Sequence, residues 1–260
     1  MALLRPPTPP TSPAYLSPMA PPLPTAHAHG HHHPHTEQHL TSSALLQDIV
    51  IGLSDGLTVP FALAAGLSGA VASTQLVITA GLAEVVAGSI AMGLGGYLAG
   101  RTEVEHYDAE LAREHREVKE LPDREREEVR ELVEAMGLSP ETQQRVVDEL
   151  VQDEEQWVKF MMKYELGLEK PDPRQASKSA ATISLAYAVG GLIPLSAYMF
   201  VDTPQQGLII SAIITLLCLL VFGYFKSRQT GQPPIAGAFR MAGIGALAAA
   251  AAYLVARQFA

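Results

Sequence analysis

The sequence predicts an all-α membrane protein: five transmembrane helices, with a small three-helix cytosolic bundle between the second and third spans. Three observations predict it. Hydrophobic residues make up 48% of the chain and fall in blocks of about twenty, the length a helix needs to cross ~30 Å of hydrocarbon. Charge is confined: residues 101–178 hold 13 Lys/Arg against 22 Asp/Glu and so carry the whole net charge of −9. The basic residues flanking the spans (Arg101, Arg174, Lys178, Lys226 and Arg228) fall on one side of a five-span path, and the short loops opposite have none. By the positive-inside rule that side is cytosolic, together with the acidic segment and the N-terminus. The C-terminus then faces a lumen or the outside.

Residues 1–44 stand apart. Ten of the first forty are proline, and no apolar run marks a signal peptide. Such a stretch cannot bury enough surface to fold and is expected to be disordered. It holds seven of the nine histidines (His27, His29, His31, His32, His33, His35 and His39). Neutral imidazoles at this density can trap a divalent metal weakly, though low-complexity drift is the plainer account.

Residues 45–100 supply the first two spans. The first, about Leu45 to Ala70, carries Asp48 and Asp55 on one face. Asp48 falls where water can reach it, whereas Asp55 comes near mid-bilayer. Val59-Pro60 predicts a kink, because proline removes a backbone donor and crowds the preceding turn. In the second span, about Gln75 to Gly100, every fourth residue from Glu84 reads Glu84, Gly88, Met92, Gly96, Gly100. The neighbouring stripe is Ala83, Ala87, Ala91, Gly95, Ala99. One face is therefore nearly bare backbone, interrupted by a carboxylate and a thioether, and it suits close approach of a partner helix, as across a dimer. Asp55 and Glu84 fall at similar depths. Each costs roughly 2.5–3.5 kcal/mol there and by default marks a pathway; the alternative is a polar lock between helices.

Residues 101–173 are charged and helical. The second span should run on without a break through RTEVEHYDAELAREHREVKEL. Leu121-Pro122-Asp123 stops it, with Asp123 placed to cap the next helix, which ends at Gly137. Ser139-Pro140-Glu141 then opens one long helix to about Leu168, closed by the turn-rich EKPDPR. Three antiparallel helices of this length can form a bundle on the membrane surface. Residues 174–260 supply three more spans, about 177–200, 207–225 and 235–259. Their small residues suit close packing, and Arg240 is expected to snorkel to the interface.

Within the acidic segment, Glu114/Glu117 and Glu125/Glu128 are i,i+3 pairs inside Arg-Glu-x-x-Glu strings. Carboxylates so spaced project from one side and can share a cation. Met161, Met162 and Glu165 occupy neighbouring surface within one later turn. Hard carboxylates with a soft thioether suit a borderline ion such as Fe2+ better than Mg2+ or Ca2+. A solvated helix face has the same look where Arg113 stands four before Glu117, and paired methionines also suit a bundle core.

A net negative charge argues against nucleic acid. The single cysteine, Cys218, lies in an apolar block, which leaves no disulfide or zinc-cysteine reading. Neither a nucleotide-binding motif nor a nucleophile-base set appears, so no enzyme and no resident cofactor are expected.

The strings DIVIGLSDGLTVPFALAAGLSG, AMGLGGYLAG, FMMKYELGLEKPDPR and GGLIPL resemble the vacuolar iron transporter family, in its plant-like branch with a cytosolic metal-binding domain, over about residues 45–258. The resemblance implies a five-span homodimer of the vacuolar membrane that moves Fe2+ out of the cytosol in exchange for protons, along a pathway at the dimer interface. The family's cytosolic metal ligands fall on Glu114, Glu117, Glu125, Glu128, Met161, Met162 and Glu165, and its membrane ligands on Asp55, Glu84 and Met92. Mn2+, Zn2+ and Co2+ are the alternative cargoes, and a non-transporting, metal-buffering anchor is the alternative role.

Overall fold

A computed structural model describes residues 39–259, and among them no strand forms. Residues 1–38, with most of the Pro- and His-rich tail for which disorder and metal trapping are expected, lie outside the described residues.

Five helices are long and apolar enough to cross a membrane. Helix α1, His39–Ala70, carries the first candidate span, Ala44–Ala70, close to the expected Leu45–Ala70, and it continues through Pro60. Helix α2, Thr74–Glu120, begins at Ser73, whose side chain caps the Leu76 N–H, and runs 47 residues. At ~1.5 Å per residue it is about 70 Å long, more than twice the hydrocarbon thickness. No glycine or proline interrupts it between Gly100 and Pro122, so the membrane span and the first helix of the acidic domain are one rod, as expected.

Proline ends the rod. Pro122 forces Leu121 out of the helical region, to φ −130° and ψ 46°, and occupies the first position of α3, Pro122–Ala135. Leu121 is therefore the cap. Asp123, expected there, sits in the first turn instead, where its charge complements the helix dipole. The expected third long helix is in fact two, α4 (Pro140–Leu150) and α5 (Glu154–Tyr164). The cause is Asp153: its carboxylate accepts the backbone N–H groups of Glu155 at 3.0 Å and Gln156 at 3.3 Å and starts a new helix. The break lets α4 deliver Val147 and α5 deliver Trp157, Val158, Met161 and Met162 to one core, shared with Val118, Val129 and Val133. The acidic domain thus has four helical segments around that core.

The chain returns to the membrane through α6, Gln175–Ser196, which ends in a 3-10 turn at Ala197–Phe200. Helices α7, Pro204–Gln229, and α8, Pro234–Arg257, complete the spans. Helix α6 packs between α1 and α2, and bare backbone makes the approach possible. A Cβ added at Gly56 of α1 would strike the Tyr187 backbone, and one at Gly190 of α6 would lie 3.0 Å from the Leu57 nitrogen.

The glycine stripe of α2 serves this packing. Gly88, Gly93, Gly96 and Gly100 face Tyr187, Ser184, Ile183 and Ala176 of α6 in the same chain. The expected second copy is thus not what the glycines receive. The alanine stripe differs: Ala83, Ala87, Ala91, Gly95 and Ala99 are all exposed, and nothing lies within 4 Å of where a Gly95 side chain would be.

Candidate metal centre

The acidic domain gathers carboxylates from three of its segments. Glu110, Glu114 and Glu117 come from the far end of α2, Glu125 and Glu128 from α3, and Glu165 caps the C-terminal end of α5. Three of them stand one helical turn from a core residue: Glu114 from Val118, Glu125 from Val129, and Glu165 from Met161. Packing of the core therefore brings their carboxylates together, with one oxygen from each lying within 4.8 Å of the others. Glu114 and Glu125 are 2% and 1% exposed. Glu165 is exposed as a residue, but its carboxylate reaches the two buried ones.

Their bonding is incomplete. One oxygen of Glu114 and both of Glu125 are buried with no hydrogen-bond partner. The flanking acids are better served: Arg113 donates to Glu117 at 3.1 Å and Arg124 to Glu128 at 2.9 Å. Burial, reinforced by the charges of Glu165, Glu125 and Glu117, pushes Glu114 up to about 7. Burial together with Glu128, Glu117 and Glu165 raises Glu125 to about 7. Glu165 is raised as well, by burial and then by Glu128 and Glu117, against the pull of Arg113 and Arg124. Two conditions relieve such a cluster: protons, or a cation at its centre.

The methionines stand differently from the acids. Met161 and Met162, 0% and 2% exposed, belong to the hydrophobic core beneath the carboxylates. The three converging groups are carboxylates, and Met161 lies one helical turn before Glu165 in that core.

A second acidic site lies in the membrane. The Tyr187 hydroxyl of α6 donates to one oxygen of Glu84, and the other oxygen is buried without a partner. Helix α1 passes the same tyrosine: a Cβ at Gly56, the residue after Asp55, would strike the Tyr187 carbonyl. Helices α1, α2 and α6 thus meet at Tyr187, and Gly88 leaves room for its phenol, since a Cβ there would strike the ring. Met92, half-buried, stands two turns further along α2, about 12 Å away on helical rise, outside this network. Sequence reasoning missed Tyr187. Its signal was a phenol in an apolar span, where the hydroxyl must find a partner.

Between the two sites a cleft of about 490 Å3 opens where α1, α2 and α6 leave the membrane, lined in part by Asp48, Glu103 and Asp172. Asp172 is engaged by the Arg174 N–H at 2.9 Å and by Lys178 at 3.4 Å. Asp48, 8% exposed, forms no ion pair among the described residues. Along α2 the order is Glu84, Met92, Glu103, Glu114: three carboxylates and a thioether from membrane to domain.

Comparison with known proteins gives a consistent picture. A model described as the VIT family matches residues 46–257. Vacuolar iron transporter 1 of Oryza sativa subsp. japonica is 53% identical over 232 residues, 89% of this chain and 92% of the relative. Vacuolar iron transporter 1 of Arabidopsis thaliana is 51% identical over 223 residues, 86% of this chain and 89% of the relative. A fungal relative, vacuolar iron transporter cccA of Arthroderma benhamiae, is 39% identical over 221 residues, covering 82% and 79% of the two chains.

Proposed function

Because the chain belongs to the VIT family, we propose that it is a proton-coupled ferrous iron transporter, an Fe2+/H+ antiporter that carries iron from the cytosol across the vacuolar membrane. The observation that carries the reading is the pairing of two acidic sites along one helix. Glu114, Glu125 and Glu165 converge in the acidic domain and form no ion pair among the described residues, and in the spans Tyr187 donates to Glu84 beside the turn of α1 that carries Asp55.

The chemistry runs as follows. Fe2+ displaces protons from Glu114 and Glu125 and takes up their unpartnered oxygens, with Glu165, Glu117 and Glu128 completing the shell. Arg113 and Arg124 hold the outer pair and release it as the ion's charge takes over. The ion then enters the cleft past Glu103 and Asp48 and reaches Asp55, Glu84 and Met92. A carboxylate must be deprotonated to bind metal, so an acidic lumen releases the ion by protonating these groups. The same groups return protons to the cytosol, which gives exchange without ATP.

In the proposed homodimer a second copy covers the exposed alanine stripe of α2, and the pathway runs beside it. The acidic domain and N-terminus are cytosolic in this reading. The test is Fe2+ uptake into proteoliposomes holding the full chain. Uptake should require an inside-acid pH gradient, and uptake indifferent to collapse of that gradient overturns the coupling.

A second reading has one specific observation in its favour. The groups that converge, Glu114, Glu125 and Glu165, are all carboxylates, and an oxygen-rich set also suits Mn2+. Competition by Mn2+, Zn2+ and Co2+ in the same assay decides the cargo.

A further inference from the structure

The last two helices hold charge of one sign only. From residue 203 to residue 260 the chain carries Lys226, Arg228, Arg240 and Arg257 and no Asp or Glu, in a protein of net charge −9. Among the described residues, Lys226, Arg228 and Arg240 take part in no ion pair. Their counter-charge has to come from outside these helices.

A groove of about 310 Å3 runs between α7 and α8, lined by Val221, Tyr224, Phe225, Ile235, Ala238 and Phe239 among others. Phe225, Ile235 and Phe239 are more than half exposed, and both helices are spans, so the groove faces hydrocarbon. Arg228 follows Tyr224 by four residues and Val221 by seven, which sets it on the groove's face of α7, one turn past the aromatic end. Lys226 lies on the other side of α7 from that face. The groove's charged end is the α7–α8 turn, which the five-span path puts on the same side as the acidic domain.

We propose that this groove binds one anionic phospholipid, with an acyl chain against Tyr224, Phe225 and Phe239 and the headgroup phosphate on Arg228. The guanidinium fork matches two phosphate oxygens. A zwitterionic lipid brings its own cation to that phosphate, whereas an anionic one leaves a net charge for the unpaired arginine, so the site selects by charge. Apolar lining without the arginine would hold any acyl chain, and the arginine without the lining would hold any phosphate. Their juxtaposition specifies a lipid.

The full chain, purified in detergent, is offered phosphatidylserine and phosphatidylcholine of matched chains, and the lipid retained is counted by native mass spectrometry. Phosphatidylserine should be retained about tenfold better, the factor expected of one charged hydrogen-bonded pair. Arg228→Gln should abolish the preference, and Lys226→Gln, equal in charge but off the groove, should keep it. Ile235→Trp, at an exposed position, should fill the groove and lose both lipids. Equal retention of the two lipids by the native chain overturns the proposal. So does equal loss from the two charge variants, or retention of free glycerophosphoserine as strong as that of the lipid.

Discussion

Glu114 and Glu125 are carboxyl groups that keep their protons to a higher pH than an ordinary glutamate. Their folded values of about 7 lie above the ordinary 4.5, so between those two pH values the folded domain binds more protons than the unfolded chain. Stability therefore falls as pH rises from about 4.5 through about 7. The metal-free full chain should melt lower at pH 8 than at pH 5, and Glu114→Gln with Glu125→Gln should flatten that slope. Metal affinity should move the other way, rising with pH, because the ion competes with those protons. Calorimetry of Mn2+ binding in buffers of different ionisation enthalpy measures the protons released. No release on binding near pH 7 would contradict the assignment of these two residues as ligands.

Helix α2 owes its role to its partner α6. The glycine spacing from Gly88 to Gly100 is readable in the sequence, but which helix would fill it is not, because a bare stripe accepts any close neighbour. Tyr187 resolves the pairing: its ring needs the space at Gly88, and its hydroxyl needs the acid at Glu84. Tyr187→Phe should leave Glu84 without its donor and lower transport about tenfold, with the fold intact by thermal melting. Gly88→Ala should do more damage, since the added methyl meets the phenol and must part the two helices. Full transport by both variants would mean the Glu84–Tyr187 contact is not on the path. The same limit on sequence reading explains the acidic domain. Glu-rich spacing marks its helices and the four candidate ligands on α2 and α3, whereas the break at Asp153 depends on a side chain winning over one turn of backbone. Met161 and Met162 carry no sequence mark of their burial, which comes from packing with Trp157 and Val158.

At the scale of the whole molecule, one helix face is exposed among the described residues. The stripe Ala83, Ala87, Ala91, Gly95, Ala99 is exposed beside the large apolar residues Val86, Ile90 and Leu94. Small residues in this register allow helices to approach closely in lipid, which supports the proposed homodimer. With the single native cysteine replaced (Cys218→Ser), an Ala91→Cys chain should cross-link to itself in native membranes, and a Leu185→Cys chain, exposed on α6, should not. Equal cross-linking at the two positions would count as random collision and remove the support.

The unbroken run of α2 has a mechanical side. Glu84 and Glu114 are thirty residues apart on one rod, about 45 Å on helical rise. A tilt of about 5° at the membrane end swings the far end by about 4 Å, close to the spacing on which the carboxylate cluster depends. In the proposed transporter, loading the cluster and reorienting the span would be a single lever's two ends, so that the ion's arrival would be felt in the membrane before the ion itself got there.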